Sequence, residues 1–184
     1  MAEIRPFACV RPCREKAARI AALPYDVYNR KEAKEEVLCE PDSFLKIDRA
    51  ETQFDDSVDT YAPEVYQKAH DTLWDMIAKG DFIQDKEAYY YIYELTMNGR
   101  TQTGITACAS IDDYENNVIK KHENTRAEKE EDRIRHVDIC DAQTGPIFLA
   151  YRDNDGITDI VYKVKMQETE YDFPSPDGIR HRVW

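Results

Sequence analysis

The residues best equipped for chemistry lie in one run, Lys120-Lys121-His122-Glu123-Asn124-Thr125-Arg126-Ala127-Glu128-Lys129-Glu130-Glu131-Asp132-Arg133-Ile134-Arg135-His136. Thr125 followed three residues later by Glu128 has the form of a capping box. This predicts a helix starting at Arg126 and leaves Lys121, His122 and Glu123 in the loop that enters it. At about 100° per residue, Arg126, Lys129, Arg133 and His136 share one stripe. Ala127, Ile134 and Val137 lie beside that stripe as the face to be buried, and Glu128, Glu131, Asp132 and Asp138 take the far side. A helix N-terminus presents free N–H groups and a partial positive charge, so basic side chains gathered there point to an anion or phosphate site. In this reading Arg126 and Arg133 clamp a phosphate, with Lys121, Lys129 and His136 adding positive charge and donors. His122 donates a hydrogen bond or a proton, and Glu123 acts as base or holds Mg²⁺.

A plainer reading stands beside it. Ten of the sixteen residues from Arg126 to Asp141 are charged, and such a run is ordinarily a solvated face laced with i,i+4 pairs such as Arg126 with Glu130. His122-Glu123 lacks a second histidine one turn on, so no metalloprotease pattern is present and no metal is expected. Cys9 and Cys13 make an incomplete zinc set, while Cys39, Cys108 and Cys140 read as small buried side chains. His70 and His181 take no role in this reading. Asp48-Arg49 would place a carboxylate at a pocket rim, although such a pair is an ordinary turn first. There is no Gly-rich phosphate loop and no Gly-x-Ser-x-Gly.

These groups need elements to position them. Glu3 to Phe7 reads as a short opening strand, and Arg14 to Leu23 as an Ala-rich helix ended by Pro24, followed by a rigid Pro24 to Tyr28 connector. Asn29 with Glu32 is a capping box for a helix from Arg30 to about Cys39. Ser43 to Ile47 follows as a strand, and the acidic Asp48 to Thr60 as a loop or lid. Pro63 to Gly80 carries Val65, Tyr66, Ala69, Leu73, Met76 and Ile77 at helical spacing. Asn98-Gly99 turns a hairpin whose register sets Tyr91 opposite Thr106 and Ile92 opposite Ile105. That register puts Tyr93 opposite Gly104, where its ring would cover bare backbone. Ile147 to Tyr151 reads as a strand, Gly156 to Gln167 as a helix, and Asp177-Gly178 as a turn into Ile179 to Trp184. Together these predict an α+β fold in one domain, with helices packed on a mainly antiparallel sheet built around a central hairpin.

Composition narrows the function classes. The chain has 184 residues, 25 Lys and Arg against 37 Asp and Glu, and a net charge of −12, with no basic block. Nucleic acid and anionic membrane surfaces are therefore not expected partners. No apolar run approaches the ~18 to 20 residues of a membrane span. Five cysteines without a Cys-x-x-Cys pair point to free thiols and a cytoplasmic protein.

Ile4-Arg5-Pro6-Phe7, Leu23-Pro24-Tyr25-Asp26-Val27 and Ser43-Phe44-Leu45-Lys46-Ile47-Asp48-Arg49 add a resemblance. So, above all, does Lys121-His122-Glu123-x-Thr125-Arg126-x-x-Lys129-x-x-Asp132-Arg133 leading to Thr144-Gly145-Pro146-Ile147-Phe148-Leu149. In order, along essentially the whole chain, these resemble the domain-of-unknown-function 1015 family of bacteria and archaea. Members of that family are longer and carry an Asp-Gly-His-His-Arg box absent here, which implies that this chain is the N-terminal half of a longer protein. More distantly, Glu123-Asn124-Thr125-Arg126 before an acidic helix is similar in kind to the Glu-Asn-x-x-Arg box of ParB-like domains, one residue shorter. That superfamily includes nucleotide hydrolases and free-serine kinases. The expected function is thus an enzyme module binding a phosphorylated metabolite or nucleotide, with phosphoryl transfer as its chemistry. The cofactor stays open, Mg²⁺ and a nucleotide being the candidates, as does the oligomeric state. The alternative is a non-catalytic interaction or regulatory domain whose charged helix meets a protein partner.

Overall fold

A computed structural model describes residues 2–122 and 125–184. In chain order the elements are β1 (Ile4–Arg5), β2 (Val10–Pro12), α1 (Ala17–Ile20), α2 (Arg30–Cys39), α3 (Leu45–Asp48) and α4 (Pro63–Ala78). Then come β3 (Phe82–Gln84), β4 (Tyr91–Met97), β5 (Arg100–Thr106), β6 (Cys108–Ala109) and α5 (Ile111–Glu115). The last are α6 (Ala127–Cys140), α7 (Asp155–Lys165), β7 (Tyr171–Pro174) and β8 (Arg180–Val183). Two single 3-10 turns, Tyr25–Val27 and Ala50–Gln53, flank α2 and α3. The fold is α+β with antiparallel ladders, and the chain forms two compact units. Among the described residues, no helix is long and apolar enough to cross a membrane.

One unit comprises residues 2–14, 84–122 and 148–184. Its centre is a four-stranded antiparallel sheet in the order β5-β4-β8-β7. Asn98 and Gly99 both adopt positive φ, 50° and 78°, as a two-residue hairpin turn between right-twisted strands requires. The register is the expected one, with Tyr91 opposite Thr106, Ile92 opposite Ile105 and Tyr93 opposite Gly104. Tyr93 does not cover Gly104, whose Cβ position has no neighbour within 4 Å. Its ring stacks instead on His181 of β8, centroids 6.0 Å apart, because a second strand beside β4 offers an aromatic partner on that face. Helix α7 packs against β4, and Lys165 reaches the buried Glu94 carboxylate. Ile147 to Tyr151 is not a strand. The run finds no ladder partner among the described residues, and Phe148 is 79% exposed.

The other unit comprises residues 15–83 and 125–147. Helix α4 starts with Pro63 at a position where its missing N–H costs nothing, and Gly80 follows its end at φ 80°. The expected stripe of Val65, Tyr66, Ala69, Leu73 and Met76 is buried, joining Ile20, Ile47, Ala50, Phe82 and Cys140 in and around one core. Helix α2 carries the expected capping box. Asn29 Oδ1 accepts from the Glu32 amide at 3.0 Å, and the Glu32 carboxylate accepts from the Asn29 amide at 2.9 Å. Asn29→Ala removes one half of that pair, and we expect it to cost about 1 kcal/mol in urea denaturation.

Ser43 to Ile47 is not a strand, and from Leu45 onward it is helical. Ser43 Oγ accepts from the Leu45 amide, and one turn of helix follows to Asp48. Ser43, Leu45 and Ile47 are all buried at alternate positions, so the pattern imitates a strand. A four-residue helix is too short to display its own period. The segment from Asp48 to Thr60 is packed at its start, where Ala50, Glu51 and Thr52 are buried in a 3-10 turn. Helix α6 begins at Ala127 and is capped by Arg126 without a side-chain bond, so Thr125 and Glu128 form no capping box.

Candidate functional site

Within the helical unit a cleft of about 420 Å³ opens between α6, the N-terminal half of α4, the end of α3 and the turn at Tyr25–Val27. Its position follows from which face of α6 is buried. Ile134, expected against the core, is 60% exposed, whereas His136 and Cys140 are buried. The basic stripe itself is thus the inward face, and Lys129, Arg133 and His136 line the cleft. Asp132, expected on the solvent side, also lines it and accepts from the Tyr66 hydroxyl of α4 at 2.8 Å. Trp74 Nε1 donates to the Cys140 carbonyl, 3.1 Å away, and ties the end of α6 to α4. The physical cause is the His136 and Cys140 pair, one turn apart, which sinks toward the core and turns Ile134 out.

The opposite wall is built by Arg49 and Glu51. Glu51 is 2% exposed, and its carboxylate accepts from Arg49 Nε at 2.6 Å. Arg49 also donates to the carbonyls of Tyr25 and Tyr28, at 2.9 and 2.8 Å, stapling the Tyr25–Val27 turn to this wall. Arg133 lies with its guanidinium carbon 4.5 Å from the Tyr25 ring centroid. It pairs with Asp132 at 3.1 Å and more loosely with Asp48 at 3.9 Å. The Lys129 side chain, lining the same cleft, has no ion pair or hydrogen bond to any described residue. Tyr61, half exposed, stands at the margin.

Asp48 sits deeper than a rim, with 19% of its side chain exposed. Burial pushes its carboxyl above the ordinary value, against the opposing pull of His136, Arg133 and a hydrogen bond from Thr144. His136 is buried, and its Nε2 lies 3.1 Å from the Ile47 carbonyl. A carbonyl only accepts, so Nε2 carries a hydrogen, and Nδ1 lies 3.3 Å from Thr144 Oγ1. The Cys140 thiol, 3.9 Å from the same nitrogen, is pushed up to about 11, by burial first and Asp48 second, so it is an inert thiol.

The expected site residues divide accordingly. Lys129, Arg133 and His136 come together in the cleft, while Arg126 is exposed and not among the residues that line it. Lys121 and His122 belong to the sheet-containing unit and are exposed, Lys121 Nζ lying 4.8 Å from the Tyr114 ring centroid. Glu123 lies outside the described residues. Arg49, Glu51, Tyr66 and Thr144 were not singled out by the sequence. Glu51 in an acidic, aperiodic stretch carries no sign of burial, whereas the 129, 133, 136, 140 spacing does mark a single helix face. Among the described residues no three His, Cys, Asp or Glu side chains gather as a metal site would require.

No curated protein and no solved structure matches the chain significantly. The similarity in kind to ParB-like domains therefore gains no support. The family model described as "Protein of unknown function (DUF1015)" matches residues 4–184, essentially the whole chain, and the chain belongs to that family.

Proposed function

We propose that the helical unit binds a small phosphorylated ligand in the α4/α6 cleft and acts on it as an enzyme module. The observation that carries this is Lys129, a cation lining a concave site with no carboxylate partner among the described residues, one turn before Arg133 on the same face. Arg133 is stacked on Tyr25 and braced by Asp132, so its fork is already oriented before a ligand arrives. Cations that neutralise a phosphate beside a carboxyl able to exchange a proton suit phosphoryl transfer. Relative to the sequence reading, the clamp passes from Arg126 and Arg133 to Lys129 and Arg133.

The test is a thermal-shift titration with inorganic phosphate and pyrophosphate, with and without Mg²⁺, on wild type and on Lys129→Ala. At about 100 times Kd a bound ligand stabilises by about 2.7 kcal/mol. Lys129 is exposed, so its loss leaves the fold intact and is expected to weaken pyrophosphate about tenfold. Arg126→Ala is expected to bind as wild type does. No shift with either anion, or an unchanged affinity in Lys129→Ala, sinks this reading and favours a protein-interaction role for α6.

A further inference from the structure

The cleft has room for more than the phosphate its cations would hold. Its volume of about 420 Å³ lies in the range of sites that enclose whole small molecules, about 300–1,000 Å³. What fills the rest is set by the lining groups that no neighbour claims. Arg49 and Glu51 bind each other, Asp132 holds the Tyr66 hydroxyl and Arg133, and Arg133 lies over the Tyr25 ring. The side chains of Lys129, Asp26 and Tyr61 have no hydrogen bond, ion pair or ring contact to any described residue. The cleft thus offers a cation, a carboxylate and a flat aromatic ring, the last belonging to a residue 47% exposed.

The two helices fix where the ring stands relative to the cation. Tyr66 of α4 meets Asp132 of α6, and Trp74 meets Cys140, the same offset of 66 residues in both cases. The helices therefore run side by side in the same direction, which sets Lys129 level with Pro63. Tyr61 comes just before α4, at the end of the cleft where Lys129 stands, and Arg133 lies one turn further in. Packed helices stand about 8–10 Å apart. A ligand that touches both the Lys129 ammonium and the Tyr61 ring therefore carries a spacer between its anionic end and its flat end.

We propose that the ligand of this cleft is a nucleoside monophosphate, with its phosphate on Lys129 and Arg133 and its base stacked on Tyr61. The sugar is the spacer. This rests on the cleft being the anion site proposed above, and it names the class of ligand held there. An ionised carboxylate only accepts, so Asp26 repels a bare phosphate and suits an occupant that brings hydroxyl donors, as a sugar does. An aromatic side chain stacks on the π-face that every base has, so Tyr61 selects for a ring without choosing among bases. Tyr61 is a specificity-determining residue here, and its hydroxyl takes no part.

The experiment titrates the whole chain with AMP, ribose 5-phosphate, phenyl phosphate and inorganic phosphate by calorimetry, in wild type, Tyr61→Ala, Tyr61→Phe and Lys129→Ala. AMP is expected to bind wild type about tenfold more tightly than ribose 5-phosphate, which differs from it by the base. That ratio is expected to fall to about one in Tyr61→Ala and to stay unchanged in Tyr61→Phe. Because the ratio is taken within one variant, a general loss of stability does not imitate it. The adenine H8 and H2 resonances give a second readout. They are expected to move upfield on binding to wild type and not on binding to Tyr61→Ala. An AMP no tighter than ribose 5-phosphate, or a ratio that survives Tyr61→Ala, overturns the proposal. Phenyl phosphate that matches AMP overturns the sugar as spacer and with it the nucleotide. The two readings fail separately. Phosphate and ribose 5-phosphate that bind through Lys129 while the base adds nothing overturn the nucleotide and leave the anion site standing. AMP binding that depends on Tyr61 but is unchanged in Lys129→Ala overturns the anion site, and with it the placement of the phosphate proposed here. No binding by any of the four overturns both.

Discussion

Glu51→Ala is expected to lower the stability of the helical unit by about 3–5 kcal/mol, the range seen when one partner is removed from a buried ion pair. Glu51 is 2% exposed, and the side chain of Arg49 is 15% exposed. Without the carboxylate, the guanidinium keeps its bonds to the Tyr25 and Tyr28 carbonyls but has no counter-charge. For a chain of this size the loss corresponds to a fall in Tm of about 10 °C. The same change has an opposite effect on ligand. It adds an uncompensated cation to the cleft wall, so affinity for inorganic phosphate is expected to rise while stability falls. Chemical denaturation and phosphate titration of the one variant check both signs. A variant as stable as wild type would mean that water reaches Arg49 and that the wall is not built by this pair.

Glu94→Gln is expected to have a comparable effect on the sheet-containing unit, nearer about 3 kcal/mol because its partner cations are partly solvated. Glu94 is buried on β4, facing Lys165 of α7, Arg182 of β8 and the Thr103 hydroxyl of β5. One carboxylate thus joins three elements that are far apart in sequence. Burial alone would push Glu94 up, but the bonds from Lys165, Thr103 and Arg182 outweigh it and hold the carboxyl below the usual carboxylate range. The folded value is below the unfolded one, so the stabilisation is present at neutral pH and is lost as pH falls through the acid range. Wild type should therefore lose its advantage over Glu94→Gln on acidification, and denaturation curves at pH 7 and pH 3 measure that. A difference independent of pH would show that the carboxylate's charge is not what holds α7 and β8 to β4.

The legible parts of this fold are those whose signal is local. The capping box at Asn29 and Glu32 and the hairpin at Asn98-Gly99 are short-range hydrogen-bond and dihedral requirements, and they occur where the residues demand them. The α4 stripe is also legible, because sixteen residues span enough turns for a period to emerge. The misread parts are short or depend on a distant partner. Alternate burial at Ser43, Leu45 and Ile47 imitates a strand across the start of one helical turn, and the apolar Ile147 to Tyr151 run has no ladder partner among the described residues. Strand β7 passed unnoticed because Tyr171–Pro174 is short and contains a proline, tolerable only at the edge it occupies.

For the candidate site, the sequence by itself determined that Lys129, Arg133 and His136 share one face of a helix, since spacing of three and four residues is enough for that. It also placed Asp48, in the pair Asp48-Arg49, as a candidate carboxylate at a pocket rim. Only the tertiary structure decided that this face is the inward one, that Asp132 turns to Tyr66, and that His136 meets the Ile47 carbonyl across some ninety residues of chain. The reason is physical. A helix's angular order is set by its own backbone, whereas which side is buried depends on the neighbours that cover it, and here the small, apolar Cys140 and a histidine bonded to the Ile47 carbonyl outweigh Ile134.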